Sequence, residues 1–262
     1  MSTVFDEPDG LGRRVRLGAV PRRIVSLVPS QTELLADLGA EVVGLTRVCV
    51  HPAGWKAEKP IVGGTKNVRL DRVRDLAPDL VLANKEENVR EQVEALADVC
   101  PVYVTDVPDV AASLAMIRTV GRLVGRPEAA ATLADDIASG FGGLGEAGRG
   151  RRVLYLIWRD PWMSVGRDTI IADVLRRGGF QSVTDGHTRY PSLSEAEIRT
   201  LGPEAVLLSS EPYPFGEKHL DEVQALAPDA EVVLVDGEPF SWYGSRLRHT
   251  PATLADLAAR LA

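Results

Sequence analysis

The sequence predicts an α/β protein: two similar lobes with mainly parallel sheets, joined by a long bridging helix, with a ligand cleft between the lobes. Three observations predict it. Short β-branched runs alternate with helical stretches along the 262 residues, the pattern of parallel strands connected by helices. Three segments recur in the same order at nearly one offset. A helical stretch without strand signals separates the two sets of recurring segments.

The first 17 residues contain acidic side chains and no apolar run of even seven. This predicts no signal peptide in the sequence as written, and hence the cytoplasm; an in-frame apolar segment upstream would place the protein outside it. No run approaches 18 apolar residues, so no membrane insertion is expected. The strands expected are 24–28, 42–48, 80–83, 102–105, 153–157, 206–209 and 232–235. The first helix is expected to open on a capping box, Ser30 with Glu33, to carry Leu34, Leu35 and Leu38 on one face, and to close at Gly39.

The repeat pairs Leu76-Ala-Pro-Asp-Leu-Val-Leu-Ala-Asn-Lys-Glu86 with Leu201-Gly-Pro-Glu-Ala-Val-Leu-Leu-Ser-Ser-Glu211 at a shift of 125. The strand pairs 23–27 with 152–156 and 102–106 with 232–236 follow at 129 and 130. Domains are therefore expected at 14–108 and 151–262, Rossmann-like in pattern, with a bridging helical segment at 109–147. In that segment Leu114, Ile117, Val120 and Leu123 form one apolar stripe. Leu133, Ile137, Phe141 and Leu144 form another, after Pro127 at a helix start.

A net charge of -7 with no run of five Lys or Arg argues against nucleic acid or an anionic membrane as the main partner. Cys49 and Cys100 lie in or beside apolar runs and read as buried free thiols. Only 14 residues are aromatic. Trp55, Trp158, Trp162, Tyr190, Tyr213, Phe215, Phe240, Trp242 and Tyr243 fall in post-strand or other loop segments, where they would line the crevice outside the carboxyl ends of the strands. Flat rings in a cleft suit a large flat ligand. Trp158, Trp162, Trp242 and Tyr243 are expected to stack on it, with Trp55, Tyr190 and Tyr213 as walls. Ser30, Gln31, Thr65, Lys66 and Arg246 are the expected polar contacts. Gly63-Gly64-Thr65-Lys66 lacks the spacing of a phosphate loop, so nucleotide binding there is rejected.

Arg22-Arg-Ile-Val-Ser-Leu-Val-Pro-Ser-Gln-Thr-Glu33, Val43-Gly-Leu-Thr46, Cys49-Val-His-Pro52, Leu76-Ala-Pro-Asp-Leu-Val81, Trp158-Arg-Asp-Pro-Trp-Met-Ser-Val-Gly166 and Leu175-Arg-Arg-Gly-Gly179 resemble the helical-backbone substrate-binding proteins of ABC importers, nearest the cobalamin-binding branch. The resemblance covers about residues 14 to 262. It implies capture of a metal chelate, first a corrinoid such as cobalamin, otherwise haem, a ferric siderophore or a bare metal ion. It also implies an ABC permease as partner, a monomer and no intrinsic cofactor. In that branch an aromatic usually occupies the place of His51, which makes His51 the candidate to approach a metal. Family members dock through a glutamate on each lobe tip. The first-lobe position falls at Arg90 with Glu91 beside it, and Glu86 and Glu211 are the other docking candidates.

Two rivals remain. A bare-ion site needs three or four converging ligands from a chain with four histidines, His51, His187, His219 and His249. A tetrapyrrole-metal enzyme would use Glu86, Glu211, His51 or His187 as acid and base, but the usual hydrolase elbow, dinucleotide and metalloprotease motifs are missing. The expectation is a binding protein with no catalytic residues.

Overall fold

The computed structural model describes residues 4–262; the first three residues of the amino-terminal stretch 1–17 lie outside it. The first sheet contains β1 (Ile24–Ser26), β2 (Val42–Leu45), β3 (Leu80–Asn84) and β4 (Val102–Thr105), all parallel in the order β2-β1-β3-β4. Every residue of β1, β3 and β4 is buried. Burial of both sheet faces under helices is why these strands read as continuous apolar runs rather than alternating ones. β1 and β2 stop two and three residues before the sequence predicts. Pro29 starts a helix immediately after β1, and beyond β2 the chain pairs with the segment around Pro60 instead, where Arg47 N donates to Gly63 O at 2.8 Å.

The first helix, α1 (Pro29–Asp37), corrects the expected capping box. Val28 is its N-cap and makes no side-chain cap. Proline fits the first helical position because it has no N–H to leave unpaired, so the helix begins two residues early and Ser30 lies inside it. Gly39 closes the helix as expected: its φ of +64° is left-handed, and its N–H reaches Ala36 O at 2.9 Å. Helices α2 (Leu70–Asp75) and α3 (Arg90–Ala97) follow, and a single turn at Trp55–Glu58 lies after β2. Cys49 is buried, with the hydroxyls of Thr32 and Thr46 at 3.0 and 3.2 Å from its sulfur; Cys100 is only half-buried.

An antiparallel hairpin, Phe5–Pro8 with Arg14–Leu17, was not expected, because its outer face is charged and its strands are short. It covers the edge of β4, a position that otherwise invites pairing with another chain. Phe5 meets Tyr103 edge-on at 6.0 Å, and Gly10 N donates to Val104 O at 2.6 Å. A Cβ at Gly10 would lie 2.5 Å from Asp106 N, so only glycine permits this approach.

Helices α4 (Val110–Leu123) and α5 (Pro127–Gly142) occupy the segment without strands. Ile117, Val120, Leu123, Ile137 and Phe141 of the two expected stripes are buried. Two compact units divide the chain: the first takes residues up to Val107, Ala111–Asp136 and Tyr243–Ser245, the second Pro108–Val110, Ile137–Trp242 and Arg246–Ala262.

The second sheet contains β5 (Arg152–Leu156), β6 (Gln181–Ser182), β7 (Ala205–Ser209) and β8 (Glu231–Val235), parallel in the order β6-β5-β7-β8. That is the strand order of the first sheet, so the repeat in the sequence is a repeat of topology. β6 carries no β-branched signal and was not expected. Its neighbourhood is held by hydroxyls, with Ser182 Oγ at 3.0 Å from Thr184 Oγ1 and Ser164 Oγ donating to Tyr155 O at 2.8 Å. Helices α6 (Ile170–Arg177), α7 (Glu195–Leu201), α8 (Leu220–Leu226), α9 (Glu238–Ser241) and α10 (Thr250–Arg260) complete this unit. The capping box absent from α1 is present at α7. Ser194 Oγ accepts from Glu197 N at 3.3 Å, and the Glu197 carboxylate accepts from Ser194 N at 2.7 Å.

Candidate ligand-binding loops

In each sheet the chain leaves two adjacent strands in opposite directions, β1 and β3 in the first and β5 and β7 in the second. This reversal opens a crevice outside the carboxyl ends of those strands, the usual ligand position in open α/β sheets. In the first unit, Asn84 at the end of β3 fixes the loop that follows it. Its Oδ1 accepts from Glu86 N at 2.8 Å and Glu87 N at 3.1 Å. Asn88 Oδ1 accepts from Asn84 N at 2.8 Å, and its Nδ2 donates to Thr65 O at 3.0 Å. Lys66 Nζ reaches Glu86 O at 2.5 Å. Thr65, half-buried, and Lys66, exposed, are thus placed beside Glu86, which is also exposed, as is Glu91 in the first turn of α3.

Ser30 and Gln31 are corrected. Ser30 is buried, and Gln31 has no exposed surface; its Nε2 donates to Ala83 O at 3.0 Å and Thr105 Oγ1 at 2.6 Å. With α1 starting at Pro29, residue 31 turns toward the sheet and ties the helix to β3 and β4. His51 is half-buried, and Trp55, also half-buried, has Lys59 Nζ 4.5 Å above its ring. Among the described residues no three His, Cys, Asp or Glu side chains converge to hold a metal ion. His51 is thus not part of a three-ligand cluster among the described residues.

In the second unit, the loop after β5 presents Trp158, 40% exposed, with its ring edge-on to Tyr213 at 5.6 Å in the loop after β7. Beneath them Tyr213 meets Phe215 at 4.7 Å, and Phe215 stacks on Trp162 with a 5° interplanar angle. Arg159 lies 5.8 Å from the Trp162 ring and donates from Nε and Nη2 to the two oxygens of Glu222, each at 2.8 Å. Tyr190 is exposed, with Arg189 5.6 Å from its ring.

Of the four rings expected to stack on a ligand, only Trp158 is exposed. Trp162, Trp242 and Tyr243 are buried, as are Phe215 and Phe240. For two of them the polar edge finds a partner inside: Trp242 Nε1 donates to Glu211 Oε1 at 2.7 Å and Tyr243 Oη to Glu87 Oε1 at 3.3 Å. Burial holds the Tyr243 phenol well above its ordinary pKa. Arg246 pairs with Glu238 at 3.3 Å and lies 5.5 Å from the Trp242 ring. Glu211 is half-buried. Ser241 Oγ and Trp242 Nε1 donate to its Oε1 at 2.5 and 2.7 Å, and burial raises its pKa, with those two bonds opposing the rise.

Val48 and Val50 were missed. Both are exposed in the loop after β2, and together with Trp158 and Tyr190 they are four of the seven exposed large hydrophobics among the described residues. The alternation Val48-Cys49-Val50 around a buried cysteine was the available signal. A cavity of about 640 Å³ in the second unit is lined by Arg149, Arg151, Phe180, Glu204 and residues of α10. Arg151 and Glu204 precede β5 and β7, so this cavity lies at the amino ends of the strands, opposite the crevice.

The family profile described as periplasmic binding protein matches residues 24–229. The vitamin B12-binding protein of Pectobacterium carotovorum subsp. carotovorum (strain PC1) is 26% identical over 241 residues, covering 87% of this chain and 85% of the relative. The structure of the periplasmic vitamin B12 binding protein BtuF of Vibrio cholerae superposes with a TM-score of 0.79 at 17% identity, over 92% of this chain and 98% of that one. The siderophore binding protein BauB, bound to two molecules of acinetobactin and ferric iron, superposes with a TM-score of 0.82 at 14% identity, over 98% and 99% of the two chains. At these identities the two structures establish the fold alone.

Proposed function

The chain belongs to the periplasmic binding protein family, and on that premise we propose that it is a non-catalytic solute-binding protein that captures a metal chelate, first of all a corrinoid, for an ABC permease. The observation that carries the ligand reading is Trp158, a large ring left 40% exposed against Tyr213 at the carboxyl ends of β5 and β7. An indole kept in water at the crevice position offers apolar area that a flat chelate covers. The vitamin B12-binding relative, matched over most of this chain, supports the corrinoid as first choice.

Tyr190 and Tyr213 are the further aromatic contacts, Trp55 and His51 the candidates on the first unit, and Thr65 and Lys66 its polar contacts. Glu86 and Glu91 are the docking glutamates. A binder rather than an enzyme fits Glu211, a half-buried carboxylate in the loop after β7, because its Oε1 is engaged by Ser241 and Trp242 inside the unit. No intrinsic cofactor is required, and the protein acts as a monomer. Its working compartment is the outer side of the cytoplasmic membrane, following the family description rather than the cytoplasm that the sequence suggests. No described helix is long and apolar enough to cross a membrane.

The test is a titration of the purified protein with cyanocobalamin, haemin and a ferric siderophore, followed by tryptophan fluorescence and ligand absorbance. Cyanocobalamin is expected to bind with a Kd below about 10 µM. No chelate binding below that concentration refutes the reading.

A further inference from the structure

The loop after β7 contains a buried histidine that the sequence singles out only as one of four and that the ligand reading does not use. His219 is 5% exposed, with its ring edge-on to Tyr213 at 5.4 Å and to Phe215 at 5.3 Å. Its Nδ1 accepts the Gly216 N–H at 3.0 Å, and its Nε2 lies 3.2 Å from Tyr213 Oη. A neutral imidazole carries one proton. If Nδ1 is an acceptor, that proton is on Nε2, and Tyr213 Oη must accept it. Gly216 O also lies 3.2 Å from Nδ1, but a ring nitrogen that accepts the amide proton has none to donate there.

The consequence falls on the tyrosine. Arg159, bonded through Nε and Nη2 to both oxygens of Glu222 at 2.8 Å, is held firmly protonated by that pair first and by Tyr213 to a lesser degree. A guanidinium has no acceptor to offer. With His219 donating and a guanidinium that can only donate, neither group takes the hydroxyl proton of Tyr213. We infer that Tyr213 donates this proton to an oxygen of the bound ligand, an amide carbonyl or carboxylate on the periphery of the chelate, and that His219 is the positioning residue that orients it. The inference rests on the reading of these loops as a chelate site. It adds a directional polar contact to a surface otherwise defined by rings, and it places that contact on the ring next to Trp158.

The test has two parts, both on the full chain. Long-range proton–nitrogen correlation spectra of histidine-labelled protein at pH 8 should show His219 protonated at Nε2 and bare at Nδ1; the opposite tautomer overturns the inference. A double-mutant cycle then reads ligand contact. Tyr213→Phe, which keeps the ring, should raise the Kd for cyanocobalamin roughly 2- to 12-fold. His219→Leu should raise it as much alone and add nothing in the Tyr213→Phe background, and His219→Gln, which can still accept from Gly216 and donate to Tyr213, should restore most of the affinity. Additive losses would reduce His219 to a fold-maintaining residue and overturn its role. Wild-type binding with Tyr213→Phe unchanged within twofold overturns the inference and leaves the chelate reading intact. Failure of the wild type to bind any of the three chelates overturns both.

Discussion

Replacing Trp158 by alanine separates a ligand-facing ring from a core ring, because Trp162, four residues on, is its buried counterpart. Trp158 is 40% exposed. Taking about 250 Å² for a whole tryptophan side chain, roughly 100 Å² of it is open to a ligand. At about 25 cal/mol per Å², full coverage contributes about 2.5 kcal/mol and half coverage about 1.2. Trp158→Ala should therefore raise the Kd for cyanocobalamin roughly 8- to 70-fold. Trp162 is 8% exposed and stacked on Phe215, so Trp162→Ala should cost about 3–5 kcal/mol of stability while changing the Kd of the folded fraction by less than about threefold. Isothermal titration calorimetry, run at a temperature where all three proteins are folded, reads the Kd values, and denaturant unfolding reads the stability. A Trp158→Ala Kd within twofold of wild type, or a larger affinity loss for Trp162→Ala, would refute the assignment of the exposed ring as the ligand contact.

Glu211 gives a pH signature. Its pKa is raised above the ordinary value of 4.5 by burial, so above that value the native state holds more protons than the unfolded one, and stability from this group falls as pH rises through the raised pKa. Glu211→Gln keeps an acceptor for Ser241 and Trp242 and removes the titration. Its Tm relative to wild type should increase from pH 4.5 to pH 7, and a flat difference would contradict the assignment. Gly10→Ala forces a Cβ to 2.5 Å from Asp106 N and should destabilise the first unit by about 1–3 kcal/mol in denaturant unfolding; an unchanged midpoint would show that the hairpin does not seal the edge of β4.

The strands were legible because their burial on both faces leaves apolar runs at 80–83 and 102–105 that no helix of that length explains. The shared strand order was legible because the repeat preserved Leu, Pro, Val, Leu and Glu at corresponding positions. The fate of the rings was not. Trp242 is buried by a carboxylate 31 residues away and Tyr243 by one 156 residues away, and no local pattern reports such a partner. At Ser30 two local signals competed, a capping serine and a proline just before it, and the proline set the helix start. His219 could be recognised only once the turn at Gly216 brought an amide to its Nδ1, which spacing alone does not encode.

The central claim is that a metal chelate is held by the loops at the carboxyl ends of the strands. Hydrogen exchange followed by mass spectrometry, with and without saturating cyanocobalamin, tests it most directly. The account predicts slowed exchange at 157–163 and 210–216, and none at 147–151 around the opposite cavity. Protection confined to that cavity, or no protection anywhere, would contradict it.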